Sequence, residues 1–422
     1  MYFDPSIDYR AVRETGYVPG GAFTRLFFAV LRGLNRPFSR RRKQPGGYGR
    51  IVVMKLGGVG DAVLATPVLA PLKSRFPGAT IDVVCWSAAR AVFQRNTAVR
   101  GIFSSPMLDA EGFGGLMGNL SARELRKTRA FLKGADLFLF LNRISTVGGF
   151  LKYWLISLLG ENGLKAGLDS DGRGVHLDVR VPDRGFLVKH EVEFARDVLE
   201  AVGCAVPLER MRGHVHIGVE DKNHITSLLA GHSIRDFVVM HPGSSLSGWR
   251  ALKRIDKGVW RILVQRIRSE YRLPVVLAGS KEDNGINREL MEDPAWGVEG
   301  NPVLNLAGRT TVPQLAELIS RATLFIGTDS GVAHVASCTK TPVVTVFGFS
   351  DFIGYAPWCE KSHVVAIRVP CGPCLYWKGY LSCRERECLD VTPDDIYRKV
   401  AEVLGGPERG RSSGESVNRA GK

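Results

Sequence analysis

The segment Lys55-Leu-Gly-Gly-Val-Gly-Asp61 carries an apolar run into a glycine-rich turn and closes it with a carboxylate. A glycine turn between a strand and a helix offers backbone N–H groups to a ligand and favours anions. Asp61 repels them, so the turn suits removal of a proton, or recognition of a hydroxyl, better than a grip on pyrophosphate. Gly57, Gly58 and Gly60 also miss the G-x-G-x-x-G spacing, which argues against a nicotinamide oxidoreductase.

Anion chemistry is concentrated in the second half. Gly327-Thr-Asp-Ser-Gly-Val-Ala-His334 follows an apolar run and opens a helical one, so Ser330, Gly331 and Val332 are expected to offer N–H groups to a diphosphate. Asp329 also suits an N-cap, and the two roles are compatible. His241-Pro-Gly-Ser-Ser245 ends another apolar run, with Arg250, Lys253 and Arg254 close behind it. Hydroxyls, a lysine point charge and bidentate arginines together favour a nucleotide diphosphate. Glu282, in a third turn, could accept from sugar hydroxyls or simply be a first-turn helix acid. Cys371, Cys374, Cys383 and Cys388 have a spacing compatible with tetrahedral zinc, and equally with a cysteine loop that holds no metal. Cys85 and Cys204 read as packing residues.

These loops need a frame. From Arg50 onward, short apolar runs alternate with helical periodicity, the pattern of parallel sheets covered by helices. Strands are expected at 51–56, 81–85, 102–103 and 137–141, with helices over 62–75, 88–94, 123–134, 152–159 and 190–202. A second unit has strands at 237–240, 275–278, 323–326 and 343–347, with helices over 257–270, 312–321, 332–337 and 394–404. Residues 110–120, rich in Gly and Met, read as a mobile loop. The expected division is a basic extension 1–48, a first Rossmann-like domain 49–222, a second 226–404 and a disordered tail 405–422.

The formal charge of +15 is uneven, since residues 1–50 carry ten Lys or Arg against three acids. Residues 22–34 are apolar but broken by Arg25 and Arg32, and Arg40-Arg41-Arg42-Lys43 follows. The run is too short and too charged to span a bilayer, which takes about 20 apolar residues. Residues 22–43 therefore suit either an amphipathic helix on an anionic membrane surface or an extra helix packed on the protein body. A secretory signal is not expected, because the start is acidic. No recognition motif accompanies the charge, so nucleic acid is not an expected partner.

Three motifs taken in order resemble glycosyltransferase family 9, the ADP-heptose:lipopolysaccharide heptosyltransferases. They are Lys55–Asp61 with Thr66-Pro67, His241–Ser245 with Lys253-Arg254, and Gly327–His334. Asn305-Leu-Ala-Gly-Arg-Thr310, Pro342–Gly348 and Cys388–Pro393 agree in order, so the resemblance spans about residues 49–404. It implies a GT-B fold, an α/β architecture of two Rossmann-like doubly wound domains facing a central cleft. It further implies inverting, metal-independent transfer from a nucleotide-sugar donor, ADP-heptose, to a lipid-linked oligosaccharide of the lipopolysaccharide core, with no cofactor required. Under it, Asp61 is the general base, on an acceptor-side loop with Gly57, Gly58, Gly60 and Thr66. Ser244, Ser245, Lys253, Glu282, Thr328, Asp329, Ser330, Gly331, Val332 and His334 hold the donor. The expected location is cytoplasmic, peripheral on the inner face of a bacterial inner membrane. A different nucleotide sugar, or a donor-binding protein without catalysis, are the competing readings.

Overall fold

The computed structural model describes residues 47–406 apart from 145, 161, 171, 184, 186, 246–247, 293–301, 370–371, 373, 375–382 and 384, and for 113, 147, 248 and 249 the backbone alone. The expected membrane segment 22–43, Cys371 and the tail beyond 406 lie outside the described residues.

In the first half, β1 (Arg50–Lys55) runs into α1 (Val59–Ala65), and Leu69–Arg75 continues it as a separate helix. The single helix expected over 62–75 is interrupted by a 3-10 turn at Thr66–Val68, where Pro67 removes a backbone donor. Then come β2 (Thr80–Cys85), β3 (Val99–Phe103), α2 (Gly112–Asn119), α3 (Ala122–Leu132), β4 (Leu137–Phe140), α4 (Val147–Leu159), β5 (Leu164–Ser170), β6 (Val179–Asp183) and α5 (Glu191–Ala201). The strands form one sheet in the order β3-β2-β1-β4-β5-β6, and every pairing is parallel. Both faces of β1 are covered: Ile51 and Val53 enter one apolar cluster, and Val52 and Met54 another. A near-continuous apolar run is the signature of such a two-sided strand.

The second half contains α6 (Val219–Ala230), β7 (Val238–His241), α7 (Lys257–Glu270), β8 (Val275–Leu277), α8 (Asn284–Met291), β9 (Val303–Asn305), α9 (Val312–Ser320), β10 (Leu324–Thr328), α10 (Gly331–Ser337), β11 (Val343–Phe347), α11 (Phe352–Tyr355), β12 (Ser362–Ala366) and α12 (Pro393–Leu404). Its strand order, β12-β11-β10-β7-β8-β9, repeats that of the first sheet, again all parallel. Helix starts follow local chemistry. Thr311 accepts from Gln314 N–H while Gln314 caps Thr311 in return, and Thr392 with Asp395 repeats the device.

The mobile loop expected over 110–120 is instead largely helical, with Gly112–Asn119 forming α2. Leu116 anchors that helix at 3% exposure and the whole element packs on α4. Of the glycines that masked its period, Gly112, Gly114 and Gly118 are exposed and Gly115 faces Ala110. In both sheets the order reverses between two central strands, β1 and β4 in one, β7 and β10 in the other. Ligands of doubly wound sheets bind outside the carboxyl ends at such a switch point. One apolar cluster runs through both halves, joining Val63, Phe194 and Leu199 of the first to Phe237, Leu318 and Val335 of the second.

Candidate active site

The loops after β1 and β10 meet. A Cβ placed on Gly60 would stand 2.6 Å from His334 Cδ2, and one on Gly331 would stand 3.1 Å from Gly60 N. A larger residue at Gly60 would have to displace the buried His334 ring, and one at Gly331 would press on the Gly60 backbone. A Cβ on Gly57 would collide with the Asp61 carboxylate, while the space beside Gly58 is open. The glycines of this turn thus serve close packing of the two halves and of Asp61 itself.

Asp61 occupies the first turn of α1, and Gly58 N–H donates to its Oδ2 at 3.2 Å. Its side chain keeps 39% of its surface, yet the carboxylate is recessed between the halves. That burial raises its pKa, the nearby Lys55 ammonium opposes the rise, and the Glu191 carboxylate adds to it. Lys55 Nζ lies 3.9 Å from Asp61 Oδ1 but 2.7 Å from Glu191 Oε2, and it also donates to Leu141 O at 3.1 Å. Arg143 Nε approaches Glu191 Oε1 at 3.0 Å with its guanidinium 4.2 Å over the Phe194 ring, and Tyr355 Oη donates to Glu191 at 3.2 Å. Burial alone would raise Glu191; Lys55 and Arg143 outweigh it and hold its pKa at about 2.

The same loop is clasped from β4. Leu56 N–H donates to Asn142 Oδ1 at 2.7 Å, and Asn142 Nδ2 donates to Leu56 O at 2.7 Å. Two bonds across the switch point fix the backbone that leads into Gly57. Asn142, Arg143 and Glu191 escaped sequence reasoning because they stand at the ends of elements outside any motif, and their partners are distant in sequence.

Across the interface, Lys253 pairs with the Asp329 carboxylate and lies 3.4 Å from Asp329 O. Ser350 donates to the same carboxylate. Asp329 is therefore not the N-cap of α10; Ser330 is. Ser330 in turn makes no capping bond, and its Oγ lies 3.0 Å from His241 Nδ1, while His241 Nε2 lies 3.4 Å from Asp283 Oδ2. Asp283 also accepts from Ser280 N–H at 2.8 Å and from Arg254 at 3.3 Å. Burial would raise Asp283, and His241 and Ser280 together hold it below the usual range. His334 is buried, which lowers its pKa to about 4 despite nearby Asp329. It is neutral at pH 7.

Several expected residues have structural employment. Ser244 is 3% exposed and donates to Arg250 O at 2.9 Å, and buried Thr328 donates to Gly243 O. Thr66 is buried; it donates to Val63 O at 2.7 Å and accepts from His214 N–H at 2.9 Å, so it ties the connection at 214 to α1 rather than facing a ligand. Glu282 is exposed in the first turn of a short 3-10 helix, a position compatible with both of its readings, and the buried acid there is Asp283. Ser245 is exposed, and Val332 and Gly331 are partly so, at the meeting of the halves. Arg250 reaches across to Glu111 Oε1 at 2.7 Å.

Cys374 and Cys388 are buried against Phe349, and Cys383 is exposed. Among the described residues no three His, Cys, Asp or Glu side chains are grouped to hold a metal ion. Cys85 and Cys204 are buried in the core, as expected. Among the described residues no helix is long and apolar enough to cross a membrane.

Two parallel α/β units whose switch points face one another, one carrying a recessed acid and the other a lysine and hydroxyl loop, define a glycosyltransferase of GT-B architecture. Residues 146–381 match the sequence profile of glycosyltransferase family 9 (heptosyltransferase), and the chain belongs to that family. It is 26% identical over 310 residues to lipopolysaccharide heptosyltransferase 3 of Escherichia coli (strain K12), covering 72% of this chain and 83% of that protein. It is also 26% identical over 380 residues to lipopolysaccharide heptosyltransferase 2 of Salmonella typhimurium, covering 84% and 98%. Among solved structures, the fold matches that of E. coli ADP-heptose lps heptosyltransferase II with a TM-score of 0.62, at 22% identity over 84% of this chain and 98% of that one. A family 9 glycosyl transferase from Veillonella parvula matches with a TM-score of 0.64, at 19% identity over 85% and 97%.

Proposed function

We propose that the protein transfers heptose from ADP-heptose to a lipopolysaccharide core acceptor, with inversion and without a metal ion. The observation that carries this reading is the contact between the Asp61 turn and the 327–334 loop, which sets a candidate base beside a candidate donor site. The names of the relatives, lipopolysaccharide heptosyltransferases 2 and 3, favour heptose and a core acceptor.

In this mechanism Asp61 accepts the proton of the acceptor hydroxyl as its oxygen attacks the anomeric carbon from the face opposite the ADP leaving group. The C–O bond to the diphosphate breaks with its electron pair going to phosphate. General-base assistance of this kind is worth about 10²–10⁴ in rate. Lys253, Arg250 and the hydroxyls of Ser245 and Ser330 meet the charge that develops on the diphosphate, the usual role of preorganised donors. In this reading these cations, released from Asp329 and Glu111 as the diphosphate binds, take the place of a divalent metal. Asn142 fixes the Asp61 turn, and Glu191 neutralises Lys55 so that Asp61 stays a base. A membrane-bound acceptor would be met at the cytoplasmic face, with residues 22–43 as one contact to anionic lipid.

The deciding experiment incubates purified protein with ADP-heptose and a soluble core oligosaccharide, in the presence of EDTA, and reads product mass and anomeric configuration. An inverted heptoside is expected. Donor binding without product would overturn the enzymatic reading, and a retained anomer would overturn the mechanism. A thermal-shift comparison of ADP-, UDP- and GDP-sugars tests the nucleotide, since a ligand at 100 times its Kd stabilises by about 2.7 kcal/mol.

A further inference from the structure

Helix α4 has an unusual outer face. Trp154 and Leu158, one turn apart, face solvent and keep 40% and 57% of their surface, and Leu151 and Leu155 flank them half-buried against the core beneath. The only charged residue of the helix, Lys152, is turned inward: it is 7% exposed and donates to Leu108 O at 3.2 Å and to Ala110 O. Neighbouring α2 adds Met117 at 45% exposure. A soluble surface helix normally carries polar residues on this face.

The helix packed alongside, α3, supplies the complementary charge. Residues 122–133 hold Arg123, Arg126, Lys127, Arg129 and Lys133, all exposed, against the single acid Glu124. An apolar stripe beside cations of one sign fits a bilayer with anionic headgroups better than a protein surface of mixed charge. The inner face of α4 points the same way. Tyr153 is buried, senses the Asp61 charge and has a backbone partner at Leu56, so the helix spans from the Asp61 turn to solvent.

We propose that the outer face of α4, with Met117 of α2 and the cations of α3, seats on an anionic lipid bilayer and brings the Asp61 side of the cleft to the membrane surface. The surface is made of residues other than the basic segment 22–43. Lipid binding at it stands without the transfer reading; only its purpose, meeting a lipid-anchored acceptor, rests on that reading.

The test uses the full chain and vesicles of phosphatidylcholine, alone or with one third phosphatidylglycerol. Binding is expected on the anionic vesicles. Trp154→Glu with Leu158→Glu is expected to weaken it by at least about tenfold, given the apolar area withdrawn, and Arg126→Gln or Lys127→Gln by about fivefold each. Acyl chains bearing bromine are expected to quench wild-type tryptophan fluorescence more than that of Trp154→Phe, which locates the contact even if the double variant folds poorly. Equal quenching of the two, or undiminished partition of a folded double variant, would overturn the proposal. So would sedimentation showing that the face pairs two copies of the chain while vesicle binding is unaffected. Transfer to the soluble acceptor is read separately, so that loss of activity with retained vesicle binding counts against the proposed function alone.

Discussion

The Lys55 ammonium sits 2.7 Å from the Glu191 carboxylate, and this pairing decides how basic a third group can be. Were Lys55 to turn to Asp61, now 3.9 Å away, it would stabilise the ionised acid and make it a poorer proton acceptor. Glu191→Gln is expected to do this: the Asp61 pKa falls, and the acid limb of the kcat/KM profile moves to lower pH. The plateau rate falls with it. The same variant leaves Lys55 and Arg143 short of a counter-charge, at a cost of about 3–5 kcal/mol in unfolding free energy. An unmoved acid limb in a folded variant would remove Glu191 from control of Asp61.

Asp61→Asn keeps the size of the side chain and removes the base. Turnover is expected to fall by about 10²–10⁴ while ADP affinity is retained, measured by single-turnover kinetics and calorimetry. Wild-type-like turnover would mean that another group takes the proton.

Asn142→Ala removes both bonds to Leu56 and leaves a buried N–H and C=O without partners. A stability loss of about 1–3 kcal/mol is expected by denaturant titration. The fall in kcat should exceed any rise in donor KM, because the acceptor-side turn loosens and the 327–334 loop does not. A change confined to KM would contradict this.

Three buried histidines impose a pH dependence on stability. Burial lowers His176 to about 3, and His190 and His334 to about 4, against 6.5 in the unfolded chain. Below pH 6.5 the unfolded chain binds protons that the native state refuses, so stability is complete above that pH. It is lost as pH falls toward 4, at about 1.4 kcal/mol per pH unit for each group. Melting curves at pH 7.5 and 5 should show the decline, and His176→Phe, placed among Phe140, Phe150 and Tyr153, should flatten it.

Much of this frame is legible in sequence where a segment has one environment. β1 is buried on both faces and reads as an apolar run; α7 is amphipathic and capped by Asp256, and its bounds follow. β5, with Lys165, Gly167 and Asp169 breaking its apolar pattern, and the edge strands β6, β9 and β12 do not read this way, since their pairing partners are distant in sequence. In the site, Asp61 and Lys253 stand in motifs. Asn142, Glu191 and Asp283 acquire meaning only when loops from separate strands meet, which no local pattern encodes. Glu282 and Asp283 show the same limit at a single turn, because which of two adjacent acids is buried depends on His241 and Arg254.

The apolar cluster shared by the two halves has a consequence for recombination. Val63 and Phe194 pack in one body with Phe237, Leu318 and Val335, so a boundary drawn near residue 222 separates two sheets but not two cores. A chimaera that borrows a foreign second half to change nucleotide choice would inherit an unmatched wall. It must carry the lining of α6, α9 and α10 along with the donor loops, or the first half will be left with its inner helices facing water.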